Sequence, residues 1–393
     1  MKKIIKSLPS NKTPGCNKVN AKTLKDSLPV ISSVITSLIN NSFHSSSFPL
    51  SWKKAEIIPI LKSGDSEEFA NTRPISLLPL ISKVCQRAAH SQLVNFLSSK
   101  DTIHHLQSGN RKFHSTESAL LHFTDKLLNN MDQRKISVTI LLDLSRAYDS
   151  IQHDLMLCKL RKAGVSETAS AWFESYLSQR IKVVKIQNTL SHSLPVMVGV
   201  PQGRILGPVL FTLYVNDLLQ VPKHCKALSY VDDTKLFLGF PSNQLHEIIS
   251  AVNDDLKEIS SWCCRNSLLI NPHKTKLLFV GVPQLMRTLP ATLPSVTLFG
   301  TEIKPVTVAK DLGVYIDSHL NYNEHITKTI SDCIHKLTRV NRIKHLLDQK
   351  TLIFLINAFI FSKLFYCSTV WSNTRKKRIW ENSSQFRIML AGL

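Results

Sequence analysis

Apolar positions recur with helical spacing in several separate segments of the chain. The clearest example is the set Ala169, Trp172, Phe173, Tyr176 and Leu177. These residues stand at i, i+3, i+4, i+7 and i+8, which places them on one face of an amphipathic helix. Similar spacing predicts helices at 28–48, 84–97, 150–163, 206–213 and 248–263. Gly164 directly follows one of these segments and is suited to cap the end of that helix.

Other segments carry the pattern of β-strands. Residues 138–142, VTILL, form a continuous apolar run rich in β-branched residues, which is typical of a strand buried on both faces. Further strands are predicted in WKKAEIIPILKSGD, IKVVKIQ, KTKLLFVGV and on both sides of the acids in SYVDDTKLFLG. The chain therefore predicts a mixed α/β region over about 136–300, followed by a mostly helical segment over about 322–371.

The longest apolar run, LIFLINAFIF at 352–361, is followed by Lys363. It has about half the length that a membrane-spanning helix requires, so we expect a helix of the protein core. The N-terminal segment MKKIIKSLPSNK is basic but lacks an apolar stretch, so no secretory signal is predicted. No membrane segment is expected, and the compartment, nucleus or cytoplasm, stays open.

Two adjacent acids, Asp232 and Asp233, interrupt a segment whose flanks have strand character. In a regular strand they would point to opposite faces, but at a two-residue hairpin turn both can reach the same rim. Asp143 directly follows the buried strand at 138–142. If that strand pairs beside the hairpin, a third carboxylate comes to the same edge of the sheet.

Three converging carboxylates need a cationic partner, because each like-charged pair at ~5 Å repels by roughly 3 kcal/mol at an effective dielectric of ~20. Mg²⁺ is the natural partner, since one or two carboxylates plus substrate phosphates hold it in proteins. Two such ions can activate an attacking hydroxyl and stabilise the leaving oxygen of a phosphoryl displacement, which is polymerase chemistry. The alternative interpretation of the acid pair is an ordinary solvated turn.

Composition supports a polyanionic partner. Lys and Arg outnumber Asp and Glu by 49 to 28, which gives a net charge of +21. Such a balance favours nucleic acid, although a membrane surface or plain solubility also explains it. The 8 cysteines are scattered without a C-x-x-C pair or a spaced Cys/His quartet, so we expect free thiols of a reducing compartment and no zinc site.

An ordered set of sequence blocks resembles the reverse transcriptases of non-LTR (LINE-type) retrotransposons. The catalytic blocks of that family are similar, in order, to LLDLSRAYDSIQHDLMLCKL, GVPQGRILGPVLFTLYVNDL, YVDDT, NPHKTKLLFV and DLGVYIDSHLNYNEHI. The upstream blocks are similar to WKKAEIIPILKSGD, NTRPISLLPLISKV and QSGNRKFHSTESAL. The resemblance covers nearly the whole chain, and the order of the blocks is more specific than any one of them.

The resemblance implies an α/β (α+β) right-hand polymerase fold. A fingers-rich region would occupy 1–135, a palm with a small antiparallel sheet, packed helices and part of the fingers 136–310, and a helical thumb 311–393. The reverse transcriptase domain itself would span about 45–310. The implied activity copies RNA into DNA with two Mg²⁺ ions, for which Mn²⁺ can substitute. The implied partners are an RNA template, a DNA primer or target and deoxynucleoside triphosphates, without a membrane; no protein partner is indicated.

The same resemblance assigns catalytic roles. Asp143, Asp232 and Asp233 would be the metal-binding acids, and Lys274 would donate a proton to the leaving pyrophosphate. Without the resemblance, Lys274 would be interpreted as a surface charge.

Four further residues would bind the incoming nucleotide. Tyr148 would be the aromatic gate that senses the sugar 2′ position, and Gln202 would lie against the nucleotide and template. Lys62 and Arg73 would reach the triphosphate from the fingers. Without the resemblance, Tyr148 would be interpreted as a core aromatic and Gln202 as a turn residue. Lys62 and Arg73 would be interpreted as surface charges.

Several departures from the family pattern leave a second hypothesis open. Arg204 stands where the family usually has a serine, Asn110 replaces an aromatic, and CNKV at 16–19 lacks the usual Asp-Gly. Neither the endonuclease nor a Cys/His knuckle is expected within the chain. A decayed copy that only binds nucleic acid would fit these departures. A third hypothesis, an RNA-templated RNA polymerase, would not need an aromatic at Tyr148.

Overall fold

The computed structural model describes residues 1–11, 13–61, 71–145, 147–200 and 205–372. Three residues discussed above, Lys62, Gln202 and Arg204, lie outside the described residues, and so does the side chain of Arg73. The described part is a mixed α/β structure, as predicted.

The helices are numbered in chain order. They are α1 (Lys2–Lys6), α2 (Ala21–Asp26), α3 (Leu28–His44), α4 (Leu80–Ser99), α5 (Thr116–Asp132), α6 (His153–Lys162), α7 (Glu167–Leu177), α8 (Gly207–Tyr214), α9 (Leu245–Arg265), α10 (Pro283–Met286), α11 (Asn323–Ile343), α12 (Gln349–Ile356), α13 (Ser362–Leu364) and α14 (Ser368–Trp371). All the helices predicted by apolar spacing are present, with shifted ends.

The strands are numbered in the same way. They are β1 (Lys54–Leu61), β2 (Thr72–Leu77), β3 (Ile136–Leu142), β4 (Leu144–Ser145), β5 (Arg180–Ile186), β6 (Thr189–Leu190), β7 (Leu194–Val196), β8 (Lys226–Tyr230), β9 (Asp233–Phe240), β10 (Leu269–Ile270), β11 (Lys276–Val280), β12 (Val296–Leu298), β13 (Thr301–Ile303), β14 (Pro305–Val306), β15 (Val308–Asp311) and β16 (Val314–Asp317). The predicted strands correspond to β1, β3, β5, β8, β9 and β11.

The chain forms two compact units, and each draws on several stretches of sequence. The first unit comprises the described residues of 1–110, 144–218 and 261–269, and the second those of 111–143, 219–260 and from 270 onward. Residues of both the 1–135 and the 136–310 regions occur in each unit. The division into fingers, palm and thumb stays a prediction.

The first unit contains a sheet with the strand order β2-β1-β5-β6, on which β7 also pairs with β5. Strand β1 is antiparallel to β2 and parallel to β5. The predicted apolar face of α7 is buried here: the Trp172 ring lies 5.5 Å from Phe48 and 5.7 Å from Tyr176. The guanidinium of Arg180 is 1% exposed and lies over the Tyr176 ring, so this core includes a buried cation.

The second unit contains a sheet with the order β14-β11-β3-β9-β8. Strand β3 is central and antiparallel to both neighbours, while the β11–β14 edge pair is parallel. Every residue of β3 except Leu141 is buried, as the continuous apolar run predicted. The sheet therefore presents the ends of β3 and of the β8–β9 hairpin at one edge.

The C-terminal apolar run differs from the prediction of a core helix. Helix α12 passes into a π-helical turn at Asn357–Phe361, and the Phe354 and Phe359 side chains are 69% and 47% exposed. Ile360 is the buried exception, packed with Cys333 and Leu337. In the described part of this unit, the run packs on α11 through Ile360, while both phenylalanines stay exposed. Among the described helices, none combines the length and the apolar character needed to cross a membrane.

Candidate active site

The acid pair lies at the hairpin between β8 and β9, as predicted, but the two-residue turn is shifted by one residue and includes only the first acid. Tyr230 ends β8 and pairs with Asp233, which begins β9, so the turn consists of Val231 and Asp232. Asp232 is thus a turn residue and Asp233 a strand residue. Because Asp232 is in the turn and Asp233 begins a strand, the two side chains need not point to opposite faces of the sheet, and both can lie near the rim.

The backbone of this turn is strained at Val231, whose φ is +61°. A β-branched residue is rarely found in the left-handed region, and glycine is the usual choice at the first position of a tight hairpin turn. The Ser229 hydroxyl donates to the Val231 carbonyl at 3.1 Å and lies 3.2 Å from the Thr234 hydroxyl. These contacts hold the turn in its strained form, and such strain is commonly found at functional sites.

Asp143 reaches the same edge of the sheet through β3. The antiparallel β3–β9 ladder ends with Leu142 opposite Thr234, so the next residue on each side is Asp143 or Asp233. The Asp143 carbonyl accepts a hydrogen bond from the Asn271 N–H at 2.8 Å, which fixes the backbone where the strand ends. The structure therefore brings the three predicted acids to one end of one sheet.

Lys274 lies on a turn that is attached to this strand end. The Asn271 side-chain oxygen accepts from the N–H groups of His273, at 3.0 Å, and Lys274, at 3.3 Å, while the Asn271 backbone bonds Asp143. The Lys274 side chain is exposed. Sequence reasoning missed the anchoring role of Asn271, although Asn-Pro at 271–272 is a turn signal that could have indicated it.

The electrostatics of the rim are unfavourable for so many acids. The pKa of Asp233 is raised to about 6, first by loss of hydration and then by the nearby carboxylates of Asp232 and Asp311, with a smaller effect of Asp143. Lys235 acts in the opposite direction. Because solvent still reaches the Asp233 side chain, the repulsion is partly screened. A divalent cation at this rim would relieve the remaining repulsion.

A buried ion pair lies beside the acids and was not predicted. The Lys235 ammonium binds the Asp311 carboxylate, and the two side chains are 2% and 4% exposed. The ammonium also lies 4.8 Å from the centroid of the Phe123 ring. A lysine inside the apolar flank of SYVDDTKLFLG was the available signal, but its partner is distant in sequence.

The acids suit a metal ion that is only partly enclosed by protein. Among the described residues, no three His, Cys, Asp or Glu side chains come close enough to hold an ion by themselves. Mg²⁺ typically binds one or two carboxylates and completes its shell with substrate phosphates and water. The oxygen-only donor set and the raised pKa of Asp233 therefore fit such an ion, with substrate supplying the remaining ligands.

Tyr148 belongs to the first unit, where it lies against the start of the GVPQG segment. Its carbonyl accepts from the Val200 N–H at 2.8 Å, and its ring stacks on Phe211 with centroids 4.7 Å apart. Gly199 has a φ of +85°, and a Cβ there would stand 2.7 Å from the Asp149 carbonyl oxygen. The two blocks thus touch through backbone that only glycine permits.

Two other sequence interpretations are resolved by the structure. Asn110 adopts a φ of +56°, and its side-chain amide donates to the Thr212 hydroxyl at 3.0 Å, so it fastens helix α8 in place of an aromatic contact. The helix predicted at 150–163 begins three residues later, because α6 starts at His153 with Gln152 at the N-cap position, so Asp149 does not cap it.

Comparison with known proteins identifies the family. Residues 60–331 match the family model for reverse transcriptase (RNA-dependent DNA polymerase). The chain is 30% identical over 356 residues to the probable RNA-directed DNA polymerase from transposon BS of Drosophila melanogaster, an alignment that covers 88% of this chain and 38% of that protein.

Two further relatives come from the same organism. The probable RNA-directed DNA polymerase from transposon X-element is 29% identical, over 81% of this chain and 35% of that protein. The RNA-directed DNA polymerase from mobile element jockey is 27% identical, over 83% of this chain and 36% of that protein. The chain spans less than two fifths of the length of these curated relatives. It belongs to the reverse transcriptase family and is related to the RNA-directed DNA polymerases of non-LTR retrotransposons.

Proposed function

We propose that the chain is an RNA-directed DNA polymerase that extends a DNA primer on an RNA template. The position of Asp143, Asp232 and Asp233 at one end of the second unit's sheet is the observation that carries this proposal. The family assignment and the relatives' names support the reaction, and the charge of +21 supports a nucleic acid partner.

In this mechanism Asp143, Asp232 and Asp233 would hold two divalent cations, Mg²⁺ or Mn²⁺. When bound, the ions would activate the primer 3′-hydroxyl and stabilise the leaving pyrophosphate. The strained Val231 turn and the Asn271 bond to the Asp143 backbone keep the carboxylates in place before substrate arrives. Lys274, exposed on the Asn271 turn, donates a proton to the pyrophosphate.

The nucleotide-binding roles come from the family resemblance. Tyr148 gates the sugar 2′ position, Gln202 lies against the base pair, and Lys62 and Arg73 bind the triphosphate. Contact of the GVPQG segment with the Tyr148 backbone supports a shared nucleotide pocket for these two blocks. A right-hand arrangement of fingers, palm and thumb is part of the same proposal.

Primer extension tests the proposal directly. The purified chain should extend a DNA primer on an RNA template in the presence of Mg²⁺ and deoxynucleotides. Asp232→Asn should reduce the rate at least ~1000-fold, because the transition-state charge loses its metal partner. This factor corresponds to ~4 kcal/mol of transition-state stabilisation. Asp254→Asn removes an exposed acid on helix α9 of the same unit and serves as the matched control.

The same assay separates polymerase activity from nucleic-acid binding alone. If the chain binds the template–primer with steep salt dependence but does not extend it, the decayed-copy hypothesis is favoured. Recovery of extension by Arg204→Ser would then assign the loss to that residue. If neither the parent chain nor Arg204→Ser extends the primer faster than Asp232→Asn, the polymerase hypothesis is excluded.

A further inference from the structure

The buried pair Lys235–Asp311 has no role in the reaction described above, although it lies beside the acids. Lys235 follows Asp233 by two residues on β9, and side chains two apart in a strand point to the same face of the sheet. The Lys235 ammonium binds the Asp311 carboxylate. The pair therefore lies on the face of β9 that also carries a proposed metal ligand.

Helix α5 closes the face of β9 that carries Lys235. Phe123 of this helix lies under the ammonium and makes an edge contact with Phe237 at 5.7 Å. Further along, a Cβ at Gly239 would stand 2.5 Å from the Asn130 side chain, so the helix lies directly on the strand. The Lys235 side chain is therefore covered by α5, and its ammonium is paired with the Asp311 carboxylate.

A buried ammonium needs a carboxylate partner, since an unpaired charge in such surroundings is costly. Asp311 supplies that partner. Without it, the next carboxylate on the same face of the strand is Asp233. An ammonium bound to Asp233 would compete for the oxygens that a divalent cation requires.

We propose that Asp311 is a positioning residue that keeps Lys235 away from Asp233 and so leaves the catalytic carboxylates available to divalent cations. This inference rests on the proposed function. It assigns the β15–β16 hairpin a part in metal binding, although the hairpin contributes no ligand.

The turn that carries Asp311 is itself fixed from the other side. The Tyr366 hydroxyl donates to the Leu312 carbonyl at 2.7 Å. Gly313 has a φ of +91°, and a Cβ there would stand 3.1 Å from the Tyr366 ring. Asp311 is thus held between Lys235 and a tyrosine of the C-terminal helical segment, which keeps the carboxylate where the lysine needs it.

Mn²⁺ binding provides the test, because electron paramagnetic resonance of free Mn²⁺ reports the dissociation constant without catalysis. Asp311→Asn should raise that constant at least ~10-fold, since loss of ~1.4 kcal/mol corresponds to a factor of ten. Lys235→Met removes the competing cation and should leave the constant unchanged or lower it. The double variant Lys235→Met/Asp311→Leu should bind Mn²⁺ within ~3-fold of the parent chain.

Two results would overturn the inference. One is a shift of the constant in the same direction for both single variants. The other is a double variant that binds as weakly as Asp311→Asn, since no ammonium remains to explain the loss. Melting temperatures in EDTA identify variants that fail to fold. If Asp311→Asn fails, Tyr366→Phe replaces it, and we expect ~3-fold weaker Mn²⁺ binding because the bond to the Leu312 carbonyl is lost. Unchanged Mn²⁺ binding in Tyr366→Phe would contradict the inference.

The proposed function is controlled separately. Asp232→Asn in the parent chain must weaken Mn²⁺ binding, because Asp232 is a proposed ligand. If it does not, the metal site itself is wrong. If it does, and the pair variants fail to shift as described, only the role of Asp311 is wrong.

Discussion

Asp143 and Asp233 stand at the same end of one sheet, because Leu142 opposite Thr234 is the last pair of the ladder between their strands. Asp143 directly follows a strand whose residues are almost all buried, while Asp233 is the exposed first residue of its own strand. Both residues therefore lie where the buried part of the sheet ends and solvent begins. This position gives the acids rigid support and leaves them open to the proposed substrate.

The pH dependence of stability should reveal the crowding at this rim. In the metal-free protein the pKa of Asp233 is about 6, above its ordinary value of 3.8. Because the pKa of Asp233 is higher in the folded than in the unfolded state, protonated Asp233 contributes stability to the fold. That contribution is fully present below about pH 4 and is lost as the pH rises through about 6. Asp233→Asn should therefore be more stable than the parent at pH 7.5 in EDTA, by no more than ~1 kcal/mol because solvent screens the site.

Urea unfolding of the two chains at pH 7.5 and pH 5 checks this expectation. The advantage of Asp233→Asn should shrink at the lower pH, because the parent carboxylate then carries a proton. Addition of Mg²⁺ at pH 7.5 should reverse the order, since only the parent gains from ion binding. An advantage that stays equal at both pH values would contradict the raised pKa.

Replacement of Tyr148 should change the choice between ribonucleotides and deoxynucleotides. Tyr148→Ala removes the ring that we propose to exclude the 2′-hydroxyl, so the ratio of kcat/KM for the two nucleotide types should move toward ribonucleotides by ~10-fold or more. Tyr148→Phe keeps the stack on Phe211 and should retain the original preference. Equal loss of both activities in Tyr148→Ala would instead indicate a packing role.

Strong local patterns in the sequence were sufficient for much of the fold. The VTILL run at 138–142 predicted a central strand because burial on both faces requires apolar residues at every position, and β3 is that strand. The stripe on α7 predicted a helix with one buried face, which is confirmed. In both cases the pattern reflects burial within a few neighbouring residues.

Features that depend on distant contacts were not predicted. Helix α5, which covers Lys235, went unrecognised although Ser115 forms a capping box at its start. Strands β12 to β16 have two to four residues each, too few for a pattern to emerge. The Lys235–Asp311 pair joins residues 76 positions apart, and only the folded chain places them together.

Asp255 is a charged residue of helix α9, and we expect it to contribute strongly to the stability of the fold. Its carboxylate is 1% exposed and accepts hydrogen bonds from the N–H groups of Lys223, His224 and Cys225, at the entrance to β8. Asp255→Ala leaves these donors without an acceptor and should lower the free energy of unfolding by ~2–4 kcal/mol. The neighbouring Asp254→Ala, at an exposed position, should change it by less than ~0.5 kcal/mol. Thermal unfolding distinguishes the pair, and similar losses in both would contradict the role of Asp255.

Gly199→Ala should separate the GVPQG segment from the Tyr148 turn. The new Cβ would stand 2.7 Å from the Asp149 carbonyl oxygen, at a φ of +85° that alanine rarely adopts. Both backbone bonds at this contact, Gly199 N–H to Ile151 and Val200 N–H to Tyr148, measure 2.8 Å and would have to lengthen. We expect a loss of ~1–3 kcal/mol in unfolding free energy and a higher KM for deoxynucleotides.

Gly300→Ala is the matched control, because Gly300 has a φ of +75° but nothing within 4 Å of a Cβ. It carries the backbone strain of the left-handed region without the collision. Gly199→Ala should therefore be the less stable of the two, and it alone should raise the KM. If both variants lose equal stability and keep the parental KM, the close approach at Gly199 does not shape the nucleotide pocket.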